Sequence, residues 1–390
     1  MTSLKQLFGG GARQFGMVFA LIALVIIFQI ATGGKVLTPT NAQNIINGNS
    51  YVLILAIGMV LVIIAGHIDL SVGSVAAVVG IIVALAIRDW GIPWWAGILL
   101  GLAVGAVIGA WQGFWVAYVG IPAFIVTLAG MLLFRGLTFI VLSNVSLSPF
   151  GGTYYAIANG FFNGLLGGYG VDVFTLVIFA IGVVGYAVWQ VRGRRSKISH
   201  QQSVEALPWF ILKIVAIAAV VMWFGYQLST SRGLPFVLIL LAVLIIAYSV
   251  ITQKSVFGRH VYAIGGNLHA ALLSGVNVRR VNFWIFVNMG LLAGIAGVVF
   301  SSRTNGAQPG AGNMFELDAI AACFIGGAAV TGGVGRVGGA IVGGLIMAVM
   351  SNGMQLMGLD QATQQVVKGL VLLIAVAFDV WNKRRTGAAR

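Results

Sequence analysis

From Tyr51 to Gly66 the chain reads YVLILAIGMVLVIIAG, without one charged side chain. Runs of this kind recur from end to end, and they restrict the fold more than any motif does. A bilayer core is crossed by a helix of about 20 apolar residues. Lipid gives backbone N–H and C=O groups no partner, so only helices or a closed barrel can cross it. The runs lack the period-two alternation of barrel strands, which leaves helices. Composition agrees, with 59% of residues hydrophobic and 8% charged, against about a quarter charged in a soluble domain. The fold class expected is an all-α polytopic membrane protein.

Spans are expected near 15–31, 50–67, 71–87, 95–118, 122–142, 171–190, 208–226, 234–252, 283–301, 317–332, 337–357 and 363–381, about 12 in all. Of these, 71–87 and 317–332 are short and rich in Gly and Ala, as a half-helix or re-entrant segment would be. Lys and Arg concentrate on loops that stay in the cytoplasm. With the N-terminus inside, Lys5, Arg13, Arg192, Arg194, Arg195, Lys197, Lys254, Arg259, Arg279, Arg280, Arg336, Lys383, Arg384, Arg385 and Arg390 fall on the inner side. Only Lys35, Arg88, Arg232 and Arg303 fall outside, so both termini are expected in the cytoplasm. Arg135, Lys213 and Lys368 lie within spans, where a long cation near an end can snorkel to the interface. The net charge of +14 then faces anionic lipid, and nucleic acid is not an expected partner.

The apolar run Met17 to Ile30 follows a basic start, as a secretory signal would. Gln29 to Lys35 offers no small-residue cleavage site, so an uncleaved first span is expected. The single cysteine, Cys323, cannot form an intrachain disulfide.

The chain divides into a cytoplasmic segment 1–14, a first membrane half 15–142 and an external loop 143–170. A two-span insertion with a basic cytoplasmic loop occupies 171–232. The second membrane half is 233–382, with a cytoplasmic loop at 253–282, and a basic tail 383–390 follows. The halves echo each other. His67-Ile-Asp69-Leu-Ser71 is a polar break that opens the Gly/Ala helix Val72 to Gly80, and Glu316-Leu-Asp318 opens Ala319 to Gly327. The topology puts the first break on the inner side and the second on the outer side. That is an inverted repeat, the arrangement of transport folds whose substrate route follows the repeat interface.

Four ordered motifs then carry a resemblance: Ala56 to Gly73 (AIGMVLVIIAGHIDLSVG), Ile121 to Gly136 (IPAFIVTLAGMLLFRG), Tyr262 to Asn267 (YAIGGN) and Glu316 to Ala322 (ELDAIAA). Across 37–385 the chain resembles the monosaccharide permeases of bacterial ABC importers, the ribose, xylose, arabinose and galactose group. The two-span insertion is similar to that of the xylose-type members. The resemblance implies the membrane subunit of an ATP-binding cassette importer in the bacterial inner membrane, with xylose the favoured cargo. It implies three protein partners: a second copy of the chain, a cytoplasmic ATPase and a periplasmic sugar-binding protein. No Gly-x-x-x-x-Gly-Lys-Ser/Thr loop occurs in the chain, so no cofactor is expected on it, and ATP with its magnesium would bind the partner. The chain is not expected to be an enzyme.

The resemblance also assigns residues. Gly258 to Val281 is a soluble, Gly-punctuated stretch between spans, and within it Asn267, Ala270, Ala271, Ser274 and Gly275 match the coupling helix that meets the ATPase. Small residues there allow close approach, and Gly275 can end the helix. Asp69 and Asp318 are ionisable groups inside spans, a functional signal by default; both also stand where a helix begins, so capping competes with sugar contact. A sugar offers hydroxyls beside C–H faces, which suits amides, hydroxyls and aromatic rings. Asn47, Asn49, Ser71, Asn288, Asn305, Asn313, Glu316, Asn352 and Gln355 are candidates to line its path, with Phe300 and Phe315 as apolar gates. An interhelical hydrogen bond is the competing role for each Asn.

Other signals fail on context. Gly333-Val-Gly335-Arg-Val-Gly338 fits a dinucleotide fingerprint but follows no strand and joins two spans. The four histidines are scattered, with no zinc spacing. An ion-coupled symporter also suits twelve spans and inverted repeats, but it would need a mid-membrane relay, for which Arg135, Lys368, Asp69, Asp318 and Asp379 are the only material. A passive channel subunit is the third reading. Neither alternative would use the cytoplasmic coupling segment.

Overall fold

A computed structural model describes residues 12–150, 152–202, 204 and 206–385, with side chains from 16 to 377. The ends 1–11 and 386–390 of the expected cytoplasmic segments lie outside the described residues. The chain is an all-α polytopic membrane protein. The first half runs α1 (Ala12–Ala31), α2 (Pro39–Ile64), α3 (Val72–Arg88), α4 (Trp94–Phe114) and α5 (Ala123–Leu142). Then come α6 (Gly152–Asn159), the strand β1 (Phe161–Phe162), α7 (Val173–Ser199), α8 (Leu207–Ser229) and β2 (Leu234–Pro235). The second half is α9 (Phe236–Lys254), α10 (Val256–Gly266), α11 (Leu268–Leu273), α12 (Val278–Thr304), α13 (Phe315–Ile325), α14 (Val337–Leu356) and α15 (Gln361–Arg385).

Each expected span coincides with a helix, and 8 helices are long and apolar enough to cross a bilayer among the described residues. Three further apolar stretches, Gly16–Ala31, Val72–Arg88 and Gln361–Ala377, are shorter. Three boundaries differ from expectation by seven residues or more, and the first is α7, which continues past 190 to Ser199 through the basic stretch Arg192 to Lys197. Helix α2 begins at Pro39, eleven positions before 50, because the polar turns Asn41 to Asn49 are helical too. The stretch 317–332 is helical only to Ile325; the glycines Gly326, Gly327, Gly332 and Gly333 that follow lie in turns.

The core is built on α2 and α12. From Val52 to Ile64 every residue of α2 is buried, as a helix apolar all round must be. Helix α12 reaches α4 through glycine. Gly97, Gly101, Gly105, Gly109 and Gly113 repeat every four residues along one face of α4 and are all buried. A Cβ on Gly105 would collide with the Gly290 carbonyl of α12, and one on Gly109 with that of Phe286. Small residues on one stripe let two membrane helices pack backbone to backbone. Helices α7 and α8, by contrast, pack chiefly on each other, and only 6% of each apolar window is buried. Their outward Val, Ile and Trp side chains face lipid. The insertion is pinned at its base by the antiparallel ladder, where Phe161 pairs with Pro235 and Phe162 with Leu234.

Candidate functional site

The two polar breaks meet inside the protein. After α2 ends, the chain turns at Gly66 and is irregular as far as Ser71, and Gly73 in the first turn of α3 lies against Gly312, just before α13. A Cβ on either glycine would collide with the other's carbonyl oxygen. Helix α13 has 11 residues and is about 16 Å long, half of a hydrocarbon core of about 30 Å. Beyond its far end, Gly333 N–H donates to Ile64 O at the end of α2 (2.8 Å). Gly265 of α10 sits at the same place, close to both Ile64 and Gly333. The crossing of the breaks is therefore about half a membrane away from that end. The first break follows α2 and the second precedes α13, and the two touch where Gly73 meets Gly312.

Helix α5 clamps both breaks. Thr127 Oγ donates to Ile68 O (3.3 Å) in the first. In the second, Thr138 Oγ donates to Pro309 O (2.8 Å), and the Arg135 guanidinium donates to Ala311 O (2.7 Å) and Gly312 O (3.1 Å). Carbonyls of irregular backbone need such donors where water is absent. At the start of α3, Asp69 Oδ1 accepts from the Ser71 amide (2.8 Å) and hydroxyl (2.6 Å), and Gln112 Nε2 donates to Ser71 Oγ (2.7 Å). Asp69 and Ser71 are buried in this knot rather than open to a path. Glu316 is also buried; its Oε2 has no hydrogen-bond partner and faces the Gly73 Cα.

Beside the crossing lies a cavity of about 810 Å³ between α2, α13, α14 and α15. Asn49, Asn313, Phe315, Asp318, Asn352 and Gln355 from the sequence set line it, joined by Tyr51, Arg303, Ser351, Gln361, Gln364, Gln365 and Lys368. Asn41 and Asn352 exchange reciprocal amide bonds of 2.8 and 2.9 Å across α2 and α14. Arg303 Nη1 donates to Gly48 O (2.8 Å), and Lys368 pairs with Asp318 at 3.0 Å. Phe300 stands behind the wall, 5.0 Å from the rings of both Tyr51 and Phe315.

The other candidates lie elsewhere. Asn288 is the acceptor of the Tyr248 hydroxyl, an interhelical bond between α9 and α12. Asn305 ends α12 in the left-handed region, and its Oδ1 accepts from Phe150 N (3.0 Å). Asn47 is half-buried, with Oδ1 unpartnered.

The segment between α9 and α12 lies apart from the cavity. Asn267 Oδ1 accepts from Ala270 N (2.9 Å) and so caps α11. Gly275 ends it at φ +79°, with its own N–H donating to Leu272 O and that of Val276 to Ala271 O, both 3.0 Å. This closes the last turn in the manner glycine allows. Ala270 and Ser274 are exposed, but Ala271 is buried; the outward face is Leu268, Leu272 and Leu273. Tyr262 of α10 donates to Gly335 O (2.6 Å), tying the segment to the turn after α13. Its burial raises the hydroxyl pKa, against the opposing pull of Arg336.

Sequence reasoning missed Lys368 as a partner of Asp318, and it missed Tyr51 and the Gln361–Gln365 turn. The signal for the first was present: a chain with 8 acidic residues places few opposite charges inside spans. Among the described residues no group of three His, Cys, Asp or Glu side chains is placed to hold a metal ion.

The sequence profile of the family described as branched-chain amino acid transport system / permease component matches residues 41–376. The xylose transport system permease protein XylH of Haemophilus influenzae is 42% identical over 95% of this chain and 96% of its own. XylH of Escherichia coli K12 is 39% identical over 99% and 95%, and the ribose import permease protein RbsC of Bacillus subtilis 35% over 97% and 96%. No solved structure matches.

Proposed function

The chain belongs to the branched-chain amino acid transport system / permease component family, and from that premise we propose that it is the membrane subunit of an ATP-driven monosaccharide importer, with xylose as its cargo. The observation that carries this reading is the cavity. Its wall alternates amides, a hydroxyl, an ion pair and aromatic rings, which suits a solute with many hydroxyls and C–H faces. At about 810 Å³ it is within the usual range of small-molecule sites. It stops at the Phe315 end of α13, beside the crossing of the two breaks, where a gate between the repeats would stand. The xylose and ribose names of relatives at 35 to 42% identity over nearly the full length favour a monosaccharide over the branched-chain amino acid of the family description.

In this reading a second copy of the chain completes the pathway, in the bacterial inner membrane. A periplasmic binding protein delivers the sugar, and a cytoplasmic ATPase docks on α10 and α11, carrying the ATP and magnesium itself. The test is to extract the chain from its host membrane, identify what co-purifies, and measure ATP hydrolysis with D-xylose-loaded binding protein. Recovery of an ATPase stimulated by the loaded binding protein is expected. A chain recovered alone, with uptake driven by an ion gradient in vesicles, would replace this reading with a symporter.

A further inference from the structure

We propose that the permease carries a sugar-binding subsite of its own, formed by the Asp318–Lys368 pair together with the Tyr51–Phe315 ring pair. It rests on the reading of the chain as a monosaccharide permease.

Lys368 Nζ lies 3.0 Å from Asp318 Oδ1 and 3.0 Å from Oδ2. The two residues come from different helices, α15 and α13, so the pair bridges the half-helix to its neighbour. A pair whose only task was to tie helices together would be best sealed in packing. This one stays 19% and 23% exposed, and both side chains line the cavity. The arrangement leaves binding capacity unused. A carboxylate has about four acceptor positions and an ammonium three donors, and the pair occupies two acceptor positions. Sugar hydroxyls can donate to the remaining lone pairs and accept from the remaining N–H, in charge-assisted bonds stronger than neutral ones.

Tyr51 and Phe315 supply the complementary surface. Their ring centroids are 4.2 Å apart at 33°, Phe300 braces both from behind, and the two rings line the same cavity as the charges. An aromatic face in a rigid group suits the C–H side of a sugar ring. Gln364 and Gln365, one helical turn before Lys368 on α15, line the cavity and add amides for further hydroxyls. A simple cation would have no use for the rings, and an apolar solute none for the pair. The chemical rival is an amino-acid zwitterion, which could split the pair with its own two charges. Asp318 is also two residues from Glu316, whose carboxylate faces Gly73 at the crossing, so the subsite and the crossing share helix α13.

The experiment uses the full-length chain in lipid nanodiscs, with equilibrium binding of labelled D-xylose and thermal unfolding with and without it. Saturable binding to the permease alone is expected, with a rise in Tm as ligand binds the folded state. The double variant Asp318→Asn/Lys368→Met leaves no charge unpaired. It is expected to keep the sugar-free Tm, lose at least tenfold in affinity and lose the Tm rise. Asp318→Asn alone is expected to lose binding as well; if it fails to fold, the double variant and the wild-type binding carry the test. Sugar uptake by the wild-type complex without saturable binding to the permease overturns the subsite and leaves the permease reading standing. Equal affinity in the double variant, or binding of L-leucine in place of sugar, also overturns it. Failure of the wild-type complex to take up any monosaccharide removes the underlying reading instead.

Discussion

The backbone of Gly73 rests on the backbone of Gly312, each so close that a Cβ on one would meet the carbonyl oxygen of the other. This contact joins the start of α3 to the loop before α13, and the Glu316 carboxylate closes over it. Overpacking a tight interior contact costs about 1–3 kcal/mol; the Glu316 carboxylate could swing aside, but the Gly312 carbonyl is backbone and cannot yield cheaply. Gly73→Ala is therefore expected to lower Tm and to reduce sugar uptake more than tenfold. Gly136→Ala, at a glycine with nothing within 4 Å of its would-be Cβ, is expected to leave both unchanged. Uptake by Gly73→Ala equal to wild type would mean that the crossing opens freely and is not a gate.

Arg135 holds the second break by donating to two carbonyls, that of Ala311 and that of Gly312, which otherwise accepts only a long 3.5 Å bond from Phe315 N. Removing the donor from a buried acceptor costs about 1–3 kcal/mol. Arg135→Met is expected to unfold at lower temperature and to raise hydrogen exchange in 309–314. Arg135→Lys, which can bond one carbonyl but lacks the fork, should fall between. Hydrogen exchange of 309–314 that stays at the wild-type level in Arg135→Met would show that Thr138 alone suffices.

Hydropathy made the helices legible because each crossing must be apolar, but it is silent on what an amphipathic stretch faces. The polar residues Asn41 to Asn49 read as loop, yet α2 continues through them because Asn41 finds Asn352, and Gln43 finds Gly233 O and Ser231. In the second half, Ala328 to Val330 were apolar enough to extend a span, although the flanking glycines end α13 at Ile325. Asp69 and Asp318 looked alike in sequence. Only the tertiary structure separates them, burying one in a knot with Ser71 and Gln112 and setting the other beside Lys368, fifty positions away.

Asp172 caps α7 at the base of the insertion, accepting from the Thr175 amide and hydroxyl and from Gly164 N. Burial alone would raise its pKa; the Thr175 hydroxyl and the two amides outweigh that and hold it below the usual carboxylate value. A carboxyl depressed on folding contributes stability above its unfolded pKa of about 3.9, and the contribution is lost as pH falls through the lower folded value. Hydrogen exchange of 160–172, corrected for the intrinsic pH dependence of amide exchange, is expected to be level from pH 7 to pH 5 and to rise below about pH 4. Asp172→Ala should raise it from pH 7 to pH 5 by the loss of a cap, about 1 kcal/mol, and flatten the rise below pH 4. An acid-independent loop in the wild type would remove the carboxylate from this role.

The outward face of α11 is apolar, with Leu272 at 51% and Leu273 at 91% exposure, while Ala271 is only 3% exposed. A bulky or charged group at Ala271 would therefore disturb α11 itself and test folding before docking. Gly275→Ala is confounded in the same way, since its φ of +79° costs a residue with a Cβ about 1–2 kcal/mol. Leu273→Asp touches no packed neighbour and is the clean variant. It is expected to keep the wild-type Tm and the sugar-binding behaviour of the isolated permease, and to lose both co-purification of the ATPase and ATP-dependent uptake. Tyr262→Phe, which removes the bond to Gly335 O, is expected to retain the ATPase while uptake slows, because that bond links the docking segment to the turn after α13. Full uptake in Leu273→Asp would move the ATPase contact away from α11, to the remaining cytoplasmic surface around α10.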